Sequence, residues 1–171
     1  MPRAAAFAKG MRKRGSALGE AANALGAQAA TAIGKSLVQN TPIDEGTAKS
    51  NWQLSRVRPR TRTRDAYAKG KFGSTETANE TAAIAQIVRE AQARQKNQQL
   101  FITNNLHYIG KLESSYDDED VKRKTPPPPA KYKSGFVIIA LQNGREVIRN
   151  TRLIRQALTG AGVTGFRIEV I

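Results

Sequence analysis

The sequence predicts an α+β domain, with a long N-terminal helix and further helices packed on a small, mainly antiparallel sheet. Three observations carry that reading. Residues 16–39 repeat apolar side chains at steps of three and four, the spacing of one helix face. Trp52 and Leu54 alternate with polar neighbours, and Leu100, Phe101, Ile102 and Thr103 form a second short strand-like run. A second helical pattern, residues 77–94, lies between the two strand signals. The chain's 171 residues suffice for one hydrophobic core, and its 39% apolar residues plus 14 glycines fall within the globular range of about 45–50%.

The first helix is drawn by Leu18, Ala22, Leu25, Ala29, Ile33 and Leu37. Most of this stripe is small, which limits buried area but allows close approach to a neighbouring element. Residues 1–15 precede it as a basic extension, with Arg3, Lys9, Arg12, Lys13 and Arg14 and no acid. Pro42 disfavours helix at Thr41, and Asp44-Glu45-Gly46 offers a turn in which Gly46 can take positive φ. The helix therefore stops and a strand begins, with Trp52 as its core anchor.

Beyond Leu54, Arg56, Arg58, Arg60, Arg62 and Arg64 occupy every second position. In an extended chain that period sets five guanidinium groups on one side, about 6.6–6.8 Å apart. They share parity with Trp52 and Leu54, and the core cannot accept five charges. A bulge near Ser55, or departure of the strand from the body, is required. Pro59 cannot donate to a ladder. A projecting basic β-arm over residues 55–72 is expected, with 65–72 as its return.

Thr77-Ala78-Asn79-Glu80 reads as a capping box, followed by Ile84, Ile87, Val88 and Ala91 at helical spacing. After the second strand, Asn104-Asn105 turns the chain into a segment where Leu106, Ile109 and Leu112 share a face. Residues 114–134 form a long Pro-rich loop with an acidic cluster (Asp117, Asp118, Glu119, Asp120), a basic cluster (Lys122, Arg123, Lys124) and a polyproline rod at 126–129. From Ser134 as N-cap, Val137, Ala140, Leu141, Val147, Thr151, Ile154 and Leu158 predict one long helix with Gly144 as its weak point. Gly160, Gly162 and Gly165 then loosen the chain before an alternating tail whose Phe166, Ile168 and Val170 suit addition to a sheet edge. The organisation expected is a basic extension 1–15, a single domain 16–158 and a hinged terminal strand 159–171.

Twenty-eight Lys and Arg against fourteen Asp and Glu give a net charge of +14, which favours nucleic acid or acidic surfaces as partners. There is no cysteine, hence no disulfide framework or thiolate site. His107 is the only histidine and has no sequence partner for proton transfer; it reads as a packing or surface residue. No phosphate loop, nucleophile elbow or zinc-protease motif occurs, and the acids at 117–120 lack the spacing of a calcium loop. The reading is therefore of a non-enzyme with no catalytic residue, metal or cofactor. Residues 4–8 are shorter than a signal's apolar region of about 7–15 residues, and no run reaches about 18 apolar residues, so neither a leader nor a membrane span is expected.

Two segments together resemble a known family. A helix followed by T-P-[VI]-D-x-G, a small-residue run ending in S-x-W, and a later N-N-x-x-Y-x-x-x-L-E is similar to the tail-completion (neck) proteins of tailed phages, the family of lambda's minor tail protein Z. Thr41, Pro42, Asp44, Gly46, Ser50, Trp52, Asn104, Asn105, Tyr108 and Glu113 fall on that pattern. Glu45 stands where a small hydroxyl residue is usual, and Ser115 where a glycine commonly follows the glutamate. The likeness spans about residues 10 to 158.

The resemblance implies a virion protein of the neck, assembled in the host cytoplasm. Its copies would form a homo-oligomeric ring, usually a hexamer with a dodecamer possible, joining the tail tube or terminator to the portal-side connector. DNA would pass through the lumen without sequence readout. In such a ring Arg56, Arg58, Arg60, Arg62 and Arg64 of one subunit are expected to meet Asp117, Asp118, Glu119 and Asp120 of the next, a head-to-tail contact between different patches. The alternative from composition alone is a stand-alone, non-sequence-specific nucleic-acid-binding protein.

Overall fold

The computed structural model describes residues 2–114 and 135–160. Asp117, Asp118, Glu119 and Asp120, the proline run, Ser134, and the tail with Phe166, Ile168 and Val170 lie outside the described residues.

Helix α1 runs over Pro2–Asn40, 39 residues or about 58 Å. It passes unbroken through the expected boundary at residue 15, because the Ala-rich opening has high helix propensity. Side chains 3–16 are exposed apart from half-buried Ala8. Contact with the body starts at Ala17 and Ala21. Here the expected stripe is rotated: Leu18 and Ala22 face solvent, while the smaller neighbours go inside. The ends of the Lys96 and Arg94 side chains lie over Gly19 and Gly26 on this inner side. Toward the C-terminus Ala29, Ala30, Leu37 and Val38 are buried as a helix face should be.

A one-turn helix α2 (Thr47–Ser50) follows Gly46, and β1 (Gln53–Ser55) pairs antiparallel with β2 (Phe101–Thr103), Leu54 opposite Ile102. Among the described residues these two strands are the whole sheet. Helix α3 (Glu76–Gln92) covers it and completes its open edge. The Gln86 carboxamide donates to Leu54 O at 2.8 Å and accepts from Leu54 N at 3.2 Å, standing in for a third strand. The core forms where α1, α3 and β1 meet: Ala30, Leu37, Val38, Trp52, Leu54, Ala83, Ile87, Ala91, Phe136 and Ala140. Full burial of Phe136, Leu54 and Ile87 contributes about 1.5–3 kcal/mol each.

Helix α4 (Ile109–Ser114) presents Ile109 and Leu112 to that core. The single helix expected from 134 is two helices, α5 (Phe136–Arg149) and α6 (Thr151–Gly160). The break falls at Asn150, whose ψ of 101° is extended and whose Oδ1 accepts from Arg152 N and Leu153 N at 3.1 and 3.2 Å. Asparagine competes with the helix backbone and then caps the next helix. Gly144 is not the weak point; it is buried inside α5, and a Cβ there would lie 2.4 Å from Ile33 Cγ1 of α1. α1 packs along both α5 and α6. No helix among the described residues is long and apolar enough to cross a membrane.

Gly144→Leu is expected to lower stability by about 1–3 kcal/mol through overpacking of α1 against α5. Gly10→Ala, where nothing lies within 4 Å, is expected to raise it by up to about 1 kcal/mol. Urea titrations measure both; an unchanged midpoint for Gly144→Leu would show that the helices do not approach through this residue.

Candidate basic interface and the polar hub behind it

The turn that ends α1 is built by Thr41. Its hydroxyl donates to Leu37 O at 2.6 Å and accepts from Trp52 Nε1 at 2.7 Å, so one buried oxygen closes the helix and positions the indole. Trp52 then meets Phe136 edge-on, with centroids 6.2 Å apart. Pro42 is buried beside it. Gly46 has a φ of 85°, and a Cβ there would lie 2.2 Å from Asn79 Nδ2, so both backbone and space demand glycine.

Lys49 is fully buried. Its Nζ donates to Gln39 O at 3.1 Å and lies 3.3 and 3.4 Å from the carboxylates of Glu76 and Glu80. The expected capping box is therefore absent: α3 starts one residue earlier, Thr75 holds the N-cap position, and Glu80 turns to Lys49. A buried ammonium attracts a carboxylate more strongly than exposed N–H groups do.

Beside this pair Asn79 satisfies its amide in full. Oδ1 accepts from Ser50 Oγ (2.8 Å) and Ala68 N (3.0 Å), while Nδ2 donates to Ala68 O and Thr75 O, both at 2.9 Å. Ser50 Oγ also accepts from Tyr67 N at 3.2 Å. Asp44 Oδ1 accepts from Phe72 N, and Asp44 O from Gly73 N, each at 3.0 Å. The return of the basic excursion is thus nailed to the turn after α1.

The excursion itself contains no strand between Ser55 and α3, which corrects the expected β-arm. Its alternate carbonyls are held by side chains instead of a ladder. Ser55 Oγ donates to Arg58 O (2.7 Å), Asn105 Nδ2 to Arg60 O (2.6 Å), Gln53 Nε2 to Arg62 O (3.2 Å) and Asn51 Nδ2 to Arg64 O (2.8 Å). Asn51 Oδ1 also accepts from Arg64 N at 2.8 Å. Residues 56–58 bend and 59–65 have no regular structure, yet the every-second-carbonyl pattern of the anchors keeps the alternation in the sequence without sheet pairing. The charge conflict at Ser55 is resolved by ending the strand there.

The five arginines divide. Arg56 Nε is 2.9 Å from Glu90 Oε2, and its Nη1 donates to Ala93 O at 2.7 Å. Arg64 contacts the Tyr67 hydroxyl and sits 3.8 Å over its ring. Arg58, Arg60 and Arg62 are exposed, and no carboxylate among the described residues pairs with them. Together with Arg56 and Glu90 they line an open groove of about 690 Å³. Charges roughly 6.7 Å apart repel by about 0.6 kcal/mol per neighbouring pair in water before screening, so the anchors hold the row against its own repulsion.

The second motif segment joins the first. Asn104 Nδ2 donates to Ala48 O at 3.0 Å, and Asn105 is the anchor of Arg60. Burial, and then the charge of Glu45, push the Tyr108 hydroxyl's pKa up, and the Tyr108 ring meets exposed His107 edge-on. The Glu113 carboxylate accepts from Val137 N at 3.1 and 3.3 Å, capping α5 where Gly135 offers no side chain. Sequence reasoning missed Asn51 and Gln53 as anchors of the basic row, and Lys49 and Asn79 as the buried polar groups behind it. The signal for Asn79 was legible: it stands four residues before Ala83, at the head of the buried four-residue stripe that continues through Ile87 and Ala91 of α3. A polar residue in line with a core face needs partners.

No family model, curated protein or solved structure matches the chain.

Asn79→Ala takes the partners of Ala68 N and Ala68 O and one bond each from Ser50 and Thr75, and is expected to cost about 2–4 kcal/mol in urea titrations, since each buried orphan costs about 1–3 kcal/mol. Asn51→Ala is expected to speed tryptic cleavage within residues 56–64 by about tenfold, by freeing both backbone groups of Arg64 at a cost of about 1–2 kcal/mol. Unchanged cleavage would mean that the row is not held by these amides.

Proposed function

We propose that the chain is a virion structural protein, a tail-completion (neck) protein whose copies form a ring joining a phage tail to the head connector around the DNA channel. The observation that carries the reading is the convergence of its two motif segments. Thr41 and Trp52 bond at the end of α1, Ser50 and Gly46 meet Asn79, Asp44 holds Phe72, Asn104 reaches Ala48 O of α2, Asn105 reaches Arg60 O, and Glu113 caps the helix that packs on α1. The residues of the resemblance therefore close α1, cap α5 and, through Asn105, Ser50 and Asp44, fix the basic row and its return.

The surface also suits head-to-tail association, in which different patches meet. Phe7, Met11 and Leu18 form one exposed apolar row on α1, and Ile138, Leu141 and Ile148 form another on the outer side of α5. A ring gives each row a neighbour to cover it. Six copies are favoured, and twelve would match a portal. The tail tube or terminator on one side and the portal-side connector on the other are its partners in the virion. The arginine-lined groove favours the second reading, a stand-alone nucleic-acid-binding protein; a tight complex of the lone monomer with duplex DNA would support that one.

Native mass spectrometry of the purified protein, alone and with connector partners, is expected to give a closed oligomer. Phe7→Asp with Met11→Asp is expected to shift it to monomer with a nearly unchanged melting temperature. Monomer under every condition would remove the ring.

A further inference from the structure

We infer that the groove lined by Arg56, Arg58, Arg60 and Arg62 is a seat for the phosphate backbone of duplex DNA and not a contact between subunits. The biological setting rests on the ring reading, while the chemistry comes from the groove itself.

Arg56 is neutralised by Glu90 at 2.9 Å, whereas Arg58, Arg60 and Arg62 keep exposed charges with no carboxylate partner among the described residues. The same three residues have their backbone carbonyls fixed by Ser55, Asn105 and Gln53. Three cations thus project from a line that is set before any ligand arrives. Preorganised guanidinium forks favour planar, bidentate oxyanions such as phosphate. Two residues of extended chain cover about 6.7 Å, so guanidinium groups at alternate positions recur at regular intervals, as the charges of a phosphate backbone do.

What the groove lacks is equally informative. None of the residues that line it carries an aromatic ring. Base stacking, the usual basis of single-strand binding, has no platform there. A protein partner is expected to supply and demand a desolvated apolar or aromatic anchor at the centre of the contact, and only Val57 and Pro59 are apolar here. A repeating phosphate backbone needs neither. Contacts of this class position a duplex without reading its sequence.

The test is fluorescence anisotropy of a labelled mixed-sequence duplex of about 25 base pairs with the full chain, between about 50 and 200 mM salt. Arg58→Gln/Arg60→Gln/Arg62→Gln is expected to weaken binding at least tenfold and to reduce the slope of log affinity against log salt by about 2.7, about 0.9 per lost phosphate contact. A control removing the same charge from the exposed start of α1, Lys9→Gln/Arg12→Gln/Lys13→Gln, is expected to change affinity less than threefold. Melting curves and native mass spectra of both variants accompany the titrations, and folding and oligomeric state are expected to match the parent. Equal losses in both variants would show a diffuse charge effect and overturn the seat. So would parent-like duplex binding by the groove variant, loss of its oligomer with DNA binding intact, or tighter binding of poly-glutamate than of duplex by the parent chain. If the parent is monomeric yet the groove variant alone loses DNA, the ring fails and the seat stands.

Discussion

The buried ammonium of Lys49 is the constraint on which the other elements depend. A fully buried charge must find opposite charge or strong acceptors, and Lys49 finds the last carbonyls of α1 at Gln39 together with Glu76 and Glu80 of α3. Both ends suit the charges placed there. The C-terminal end of a helix is electronegative, and carboxylates in the first turns of α3 complement its N-terminal end. An interaction of this kind adds little net stability over a well-packed apolar substitute, but it tolerates few alternative arrangements. It fixes where α2 sits, and α2 carries Ser50 to Asn79 and leads into Asn51, the anchor of Arg64.

The basic row is a consequence of that arrangement. Five arginines at alternate positions have no hydrophobic reason to stay together and an electrostatic reason to spread. They stay because the protein holds their backbone with side-chain hydroxyls and amides from β1, from the turn before it and from Asn105. Irregular structure here does not mean loose structure. A sheet ladder would have left an open edge for aggregation; here side chains hold alternate carbonyls instead, and Gln86 bonds the outer side of β1 at Leu54. The result is a body in which one face offers cations with no carboxylate partner among the described residues, and two helices offer apolar rows.

Much of the frame was legible in the sequence because it rests on local patterns. The stop at Pro42, the positive φ at Gly46, the core role of Trp52, the second strand and the stripe of α3 all follow from neighbouring residues. What escaped depends on distant partners. Thr77 and Glu80 have capping-box spacing, yet Glu80 pairs with a lysine 31 residues earlier in the chain. Gly144 looks like a helix breaker until Ile33 is found against it, and Asn150 looks harmless until its side chain caps the following helix. The arginine alternation predicts a paired β-arm; the segment instead bends at 56–58, forms no strand, and has its carbonyls held by side chains. For the candidate site, the row was visible and its exposed members were not separable from Arg56 and Arg64, since only the fold brings Glu90 and Tyr67 to them.

The central claim is that side-chain anchoring makes an irregular basic segment rigid. Backbone ¹⁵N relaxation of the full chain tests it most directly. The account predicts order parameters for the amides of Arg58, Arg60, Thr61, Arg62, Thr63 and Arg64 close to those of α3, about 0.85. Values below about 0.6 across these residues would contradict it, since the row would then be a tethered coil and not a surface.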